Sequence, residues 1–300
     1  QVSDAICGND RGGYITIVPQ YQDWNRRMSQ LQVASPSVTR EAILNVPYHG
    51  FNPKQFQGRT LPQLADMRDE LEQIYEIFLR CGGRLTTDSR KISGGELFLA
   101  LKGENFDGNL YAMKALESGA AYAVVEKSCP DTDGRLIFVD STFQTLRALA
   151  SLHRQSLRVS GGRLPVIALT GTNGKTTTKE LIRAVLSTRY RVSATQGNLN
   201  NDIGVPLTLL SFTGQTQIGL VEMGASHPGD IVSLVEVAHP DYGLITNVGR
   251  AHLLGFGSFE GVKAAKGALY DYLAQVPGGF VFLNADDPCL CAMASERQLG

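Results

Sequence analysis

The stretch Val166-Ile-Ala-Leu-Thr-Gly-Thr-Asn-Gly-Lys-Thr-Thr-Thr178 constrains this chain more than any other part of it. The apolar run 166–170 has the length and composition of a buried strand. A loop with two glycines follows, and then a run that starts a helix near Lys175 and Thr176. Such a loop lets backbone N–H groups curl around an anion, and the helix adds the positive end of its dipole. Strand, short loop and helix in that order are the opening of a βαβ unit, which requires a parallel sheet.

The same segment carries chemistry. Gly171, Thr172, Asn173 and Gly174 form the candidate phosphate cradle, with Thr177 in the first helical turn. Lys175 has the reach to bind β- and γ-phosphates, and the Thr176 hydroxyl suits Mg²⁺, which prefers oxygen ligands. The longer G-x-x-x-x-G-K-[ST] pattern would place glycine at position 169, where Leu169 stands. A plain structural turn is the competing reading.

Around this segment, short apolar runs alternate with helical ones. Strands are expected at 97–101, 120–125, 136–139, 166–170, 218–222, 242–247 and 280–283. A helix through Phe143, Leu146, Leu149 and Ala150 follows the third of these. From Met67, the spacing of Leu71, Ile74, Tyr75, Phe78 and Leu79 is helical, and Gly82-Gly83 stops it. Ser160-Gly-Gly-Arg-Leu-Pro165 reads as a turn-rich linker. The fold class is therefore α/β: a small mixed domain over 67–160, then a mostly parallel-sheet nucleotide-binding domain over 161–300. Residues 1–66 show no sustained periodicity, and are either an extra module or sequence outside the functional unit.

Charge and composition exclude other classes. Lys and Arg total 28 against 29 Asp and Glu, so no basic excess exists for a nucleic-acid backbone. No apolar run reaches membrane-spanning length, and Gln1 opens a polar stretch rather than a signal peptide. The five cysteines (Cys7, Cys81, Cys129, Cys289, Cys291) lack zinc-ribbon spacing and read as reduced thiols of a cytoplasmic protein.

Three further positions sit where ligands gather. Glu222 ends the strand 218–222, at the edge where open α/β sheets bind ligands. It is placed to hold Mg²⁺, or else to cap the helix expected near Ser226-His-Pro228. His252 follows another strand end. A lone histidine is usually a core or surface residue, and imidazole is an acceptable though uncommon Mg²⁺ ligand. Lys263 and Lys266 lie on a helix with Val262, Ala265 and Leu269 on its apolar face, and read by themselves as solvated lysines.

Thr87-Asp-Ser-Arg90, Gly95-Glu-Leu-Phe-Leu-Ala-Leu-Lys-Gly103 and Phe106-Asp-Gly108 combine with Thr170-Gly-Thr-Asn-Gly-Lys-Thr176 and Gly197-Asn-Leu-Asn-Asn-Asp-Ile-Gly-Val-Pro206. To these add Glu222-Met-Gly-Ala-Ser-His-Pro228, Ile245-Thr-Asn-Val-Gly249, Ala251-His-Leu-Leu-Gly-Phe-Gly257, Ala265-Lys-Gly267 and Leu283-Asn-Ala-Asp-Asp-Pro288. With these motifs in order, the chain from about residue 67 resembles the Mur ligase family. The Asn-Leu-Asn-Asn-Asp and Glu-Met-Gly-Ala-Ser-His-Pro runs favour the member that joins D-alanyl-D-alanine to UDP-N-acetylmuramoyl-tripeptide. The alternatives are a sister ligase adding the third residue, a folylpolyglutamate synthetase-like protein, and a catalytically incomplete nucleotide-binding fragment. The Asp-Ser-Arg domain argues against the folate enzyme.

The resemblance implies an ATP-dependent, ADP-forming ligase of three domains, monomeric and cytoplasmic, of which the C-terminal, amine-receiving domain is expected to be absent here. It implies that Asp88, Ser89 and Arg90, with Asn198, Asn200 and Asn201, contact the UDP-linked substrate. Lys175 and Thr176 would serve ATP and Mg²⁺, Glu222 and His252 would be metal ligands, and Asn284 and Asp287 would lie near the adenosine. It also implies that Lys266 is carbamylated, turning a cation that would repel Mg²⁺ into an anionic oxygen ligand.

Overall fold

The computed structural model describes residues 61–103, 106–126, 134–160, 162–250, 253–297 and 299. His252, Cys7 and Cys129 lie outside these residues. The chain divides into two compact units, Gln1–Glu76 and Ile77–Gly300. In the first, the described residues belong to helix α1 (Leu61–Arg80), which begins ahead of Met67. Its end is set by Gly82 and Gly83, at φ +71° and +67°, whose N–H groups donate to the Leu79 and Phe78 carbonyls.

The second unit contains two parallel sheets. The first is built from β1 (Leu85–Thr86) and β2 (Leu97–Leu99), with a small antiparallel pair, β3 (Lys102–Gly103) and β4 (Phe106–Asp107), following. Helix α2 (Ala112–Glu117) leads to β5 (Tyr122–Glu126) and β6 (Leu136–Val139), giving the order β1-β2-β5-β6. Phe98, Ala100, Ala123, Val125 and Leu136 pack with Ala112, Ala115 and Leu116 of α2 in one buried cluster. Small side chains on both partners let helix and sheet approach closely.

Helix α3 (Thr142–Ser156), capped by the Ser141 hydroxyl, and the hairpin β7 (Arg158–Val159) and β8 (Gly162–Arg163) lead into the second sheet. That sheet comprises β9 (Val166–Thr170), β10 (Val192–Ala194), β11 (Ile218–Glu222), β12 (Tyr242–Ile245) and β13 (Phe280–Phe282). Its order is β10-β11-β9-β12-β13, and every pair is parallel. The connecting helices are α4 (Lys175–Leu186), α5 (Gly204–Leu210), α6 (Asp230–Ala238), α7 (Leu253–Phe256) and α8 (Phe259–Leu273), with α9 (Pro288–Ser295) last.

Residues alternate between the two faces of a strand. On one face Ile167, Leu169, Ala194 and Leu220 meet Ile182 and Leu186 of α4. On the other, Gly243 lies against Leu269 and Leu273 of α8, where a Cβ would come within 2.6 Å of Leu273. All five residues of β9 are buried, as a central strand covered on both faces requires. The expected strand at 242–247 ends at Ile245, because Thr246 and Asn247 turn toward the loop after β9.

Helix α3 packs against α5 and α6 of the second sheet, and does so through polar as well as apolar contacts. Arg147 donates to the Ser233 carbonyl at 2.8 Å and His153 Nε2 to the Phe212 carbonyl at 2.8 Å. The fully buried Arg154 binds the Ala238 and His239 carbonyls and Asp241. Burial pulls its pKa down to about 10 against the attraction of Asp241. Among the described residues, no helix is long and apolar enough to cross a membrane.

Candidate functional site

The chain leaves β9 on one side for β10 and β11, and returns to its other side for β12. Ligands of open α/β sheets bind at this reversal, outside the carboxyl ends of the strands. Residues 171–174, 195–203, 223–230 and 246–249 converge there, each following one strand.

The loop 171–174 is shaped by glycine where the backbone needs it. Gly171 has φ +149°, and a Cβ on it would sit 1.9 Å from Thr246 Oγ1. Gly174, at φ +77°, begins α4 without a side-chain cap, so the first N–H groups of the helix face outward. Position 169 is instead a fully buried strand residue, which is why leucine serves there. Neighbouring loops brace the turn. Thr172 N–H donates to the Asn247 carbonyl at 3.0 Å and Asn173 N–H to Asn247 Oδ1 at 3.1 Å. Thr246 Oγ1 donates to the Asn173 carbonyl at 2.7 Å, and Gly249 N–H to Thr172 Oγ1 at 2.8 Å.

Two lysines meet at this loop. Lys175 Nζ donates to the Gly171 carbonyl at 2.9 Å and the Thr172 carbonyl at 3.3 Å. Lys266 Nζ donates to the same Gly171 oxygen at 3.1 Å. Lys266 is therefore not a solvated lysine: α8 buries it to 3% exposure. Burial, with the charge of Lys175 adding to it, pushes its pKa down to about 8. Lys263 has the more solvated place on the helix, 3.8 Å from Glu296. Two ammonium groups on one carbonyl concentrate positive charge beside free helix N–H groups, an arrangement complementary to a polyanion such as a phosphate chain.

Glu222 does not cap the next helix. It is 1% exposed, and Thr176 Oγ1 donates to its two oxygens at 3.2 and 3.0 Å. Asn200 Nδ2 donates to Oε1 at 2.9 Å, while Lys179 Nζ lies 3.7 Å from Oε2. A buried carboxylate and an adjacent hydroxyl are hard oxygen donors of the kind Mg²⁺ takes, so this pair fits that ion. Among the described residues no group of three or more His, Cys, Asp and Glu side chains is arranged to hold a metal ion. The helix expected near Ser226 starts at Asp230, whose carboxylate accepts the Ser226 and His227 N–H groups and holds them in a turn.

Lys175, Asn200 and Asn201 line one cavity of about 510 Å³ together with Asp202, Ser226 and His227. Asn201 Oδ1 also accepts Gly204 N–H at 2.8 Å at the start of α5. The Asn198 carbonyl accepts Asn200 N–H at 2.8 Å, tightening the same loop. Beside the first sheet, the Asp88 carboxylate accepts from the Arg90 guanidinium and from the Arg90 backbone N–H, and Arg90 holds that carboxyl at about 2. Ser89 opens the short 3₁₀ turn between them, and Arg90 reaches out into solvent. Asp287 caps α9 by accepting Cys289 and Leu290 N–H groups, and Asn284 Oδ1 accepts Asp286 N–H. Cys81, Cys289 and Cys291 are free thiols.

Sequence reasoning missed Lys179 and Glu96. Nothing in the local pattern marks either out, yet Lys179 is fully buried. Glu96 accepts from Arg84, and the Ser93 hydroxyl, with the Gly94 and Ser93 N–H groups, holds its carboxyl at about 2.

Comparison with known proteins bears on both sheets. A model described as Mur ligase family, catalytic domain, matches residues 84–149, and one described as Mur ligase middle domain matches residues 169–299. The chain belongs to the Mur ligase family. The UDP-N-acetylmuramoyl-tripeptide–D-alanyl-D-alanine ligase of Bacillus subtilis is 42% identical over 208 residues, 69% of this chain and 44% of its own length. Its Escherichia coli counterpart is 40% identical over 228 residues, 76% of this chain and 48% of its own length. The chain thus spans about half the length of the curated relatives it matches. Among solved structures, a MurF from Acinetobacter baumannii superposes with TM-score 0.65 at 34% identity, over 72% of this chain and 46% of that one. A MurF ligase from Thermotoga maritima in complex with ADP gives TM-score 0.63 at 33% identity, over 71% of this chain and 48% of that one.

Proposed function

We propose that this chain carries the UDP-sugar-binding and ATP-binding parts of an ATP-dependent ligase that joins D-alanyl-D-alanine to UDP-N-acetylmuramoyl-tripeptide. The observation that carries the reading is the meeting of Lys175 and Lys266 on the Gly171 carbonyl beside the Thr176–Glu222 pair. The names of the relatives supply the substrates.

The chemistry follows from what the residues offer. A carboxylate is a poor electrophile, so amide formation needs it converted to an acyl phosphate by the γ-phosphoryl group of ATP, after which an amine displaces phosphate. Lys175 and the first N–H groups of α4 hold the phosphate chain and neutralise charge that develops during transfer. Bound Mg²⁺ supplies further neutralisation of phosphoryl oxygens. Thr176 and Glu222 would hold it, with His252 as a third ligand.

Lys266, with its pKa near 8, presents more neutral amine near pH 7 than an ordinary lysine does, and a neutral amine is the form that adds CO₂. The addition releases one proton, and the resulting carbamate would be an anion beside Lys175 and the phosphate loop. Asn200 and Asn201, which line one cavity with Lys175, would meet the carboxylate end of the peptide substrate. Asp88, Ser89 and Arg90 would serve the UDP-sugar, and Asn284 and Asp287 the adenosine. Domain limits at 67–160 and 161–300 accompany this assignment.

Measurement of phosphate release with UDP-muramoyl-tripeptide, ATP and D-alanyl-D-alanine tests the whole. Amide product confirms the ligase. Binding of both nucleotides without amide product would restrict the claim to nucleotide binding, and binding of neither would refute it.

A further inference from the structure

We propose that Lys179 is a positioning residue that presents the Glu222 carboxylate to the metal. This rests on the reading that Thr176 and Glu222 hold Mg²⁺. Lys179 is fully buried, and its Nζ donates to the Thr195 carbonyl at 2.7 Å. The Thr195 hydroxyl in turn accepts the Glu222 N–H at 2.9 Å. Lys179 is thereby tied to Glu222 twice, through Thr195 to its backbone and directly to its carboxylate at 3.7 Å. A second carboxylate, that of Glu180, lies 3.3 Å from the same ammonium and is half-exposed.

The Glu222 carboxylate has two kinds of partner. Asn200 holds Oε1 and Lys179 faces Oε2, and both of these groups have only protons to offer. The Thr176 hydroxyl bridges both oxygens and is also an acceptor, so it can turn its proton away. Thr176 and Lys179 stand three residues apart on α4 and so share one helix face. A carboxylate stripped of water needs compensating donors to stay ionised and fixed. Groups behind a ligand that set its orientation commonly govern metal affinity by 10- to 100-fold. Lys179 meets that description from its place beside Glu222 Oε2.

Calorimetric titration of ADP, with and without Mg²⁺, on the parent chain, Lys179→Met and Lys179→Gln tests this. The Gln variant keeps an N–H donor for the Thr195 carbonyl but removes the charge facing Glu222. If the parent gains no affinity from Mg²⁺, the metal reading itself fails. Given that gain, both variants are expected to keep metal-free ADP affinity and to lose about tenfold or more of the Mg²⁺-dependent gain. If Lys179→Met does not fold, the Gln variant decides. A folded variant with the parental Mg²⁺ gain, an equal loss with and without Mg²⁺, or failure of both variants to fold would overturn the proposal by leaving Lys179 a purely structural residue.

Discussion

Lys175 and Lys266 place their ammonium groups on one carbonyl oxygen, that of Gly171, at 2.9 and 3.1 Å, although 91 positions separate them in sequence. The relationship depends on β9, which sends its loop toward α4, and on α8, which packs against the opposite face of the sheet. It also requires Gly171 to keep the backbone conformation that aims its carbonyl at both lysines.

Gly171→Ala tests that requirement. A Cβ would lie 1.9 Å from Thr246 Oγ1, at a φ of +149° that L-residues rarely adopt. The expected outcome is a folded sheet with a displaced loop, destabilised by about 1–3 kcal/mol and with ADP affinity reduced at least tenfold. Urea unfolding and ADP titration read the two effects. Parental values in both would show that the loop does not depend on this glycine.

The depressed pKa of Lys266 gives a stability signature with a definite sign. With a folded value of about 8 against 10.5 for the free side chain, the unfolded chain holds more protons between those limits. Unfolding free energy therefore rises as pH increases from 8 toward 10.5, and the cost of burying the ammonium is fully present below 8. In CO₂-free buffer, the stability advantage of Lys266→Met over the parent should shrink across that window. A difference that does not change with pH would show that Lys266 titrates normally.

Carbamylation predicts a separate observable. Protein equilibrated with ¹³C-bicarbonate should show a carbamate carbon resonance that Lys266→Ala abolishes. In a chain that turns over, short-chain carboxylates should partly restore the activity that Lys266→Ala removes. An unchanged resonance in the variant would place the carbamate elsewhere, and unchanged turnover would leave Lys266 without a catalytic part.

Asp241 holds α3 to the second sheet. It accepts from Arg154 at 2.8 Å, from Arg163, and from Val166 N–H at 2.9 Å. Asp241→Asn leaves the fully buried Arg154 guanidinium without its counter-charge, and removing one partner of a buried pair costs about 3–5 kcal/mol. The urea midpoint should fall accordingly, while ADP affinity of the folded protein stays within about twofold. A loss under 1 kcal/mol would show that the Ala238 and His239 carbonyls suffice for Arg154.

Much of this was legible in the sequence. Strands 166–170 and 218–222 and the start of α4 at Lys175 are where apolar runs and the glycine loop put them. The start of α6 was less legible, because the Asp230 carboxylate draws Ser226 and His227 into a turn that delays the helix. The burial of Lys179 and of Lys266 was illegible for a different reason. Each follows a lysine on its helix by three or four residues and looks solvated. Only the packing of α4 against β10 and β11, and of α8 against β12 and α6, buries them. Burial that arises from tertiary pairing leaves no local periodicity to read.

Calorimetric titration of Mg²⁺–ADP into the parent chain and into Lys175→Ala tests the central claim most directly. The account predicts saturable binding by the parent at one site, an affinity at least a hundredfold weaker in the variant, and unchanged secondary structure by circular dichroism. Equal affinity in the two proteins, or no binding by a folded parent, would contradict it.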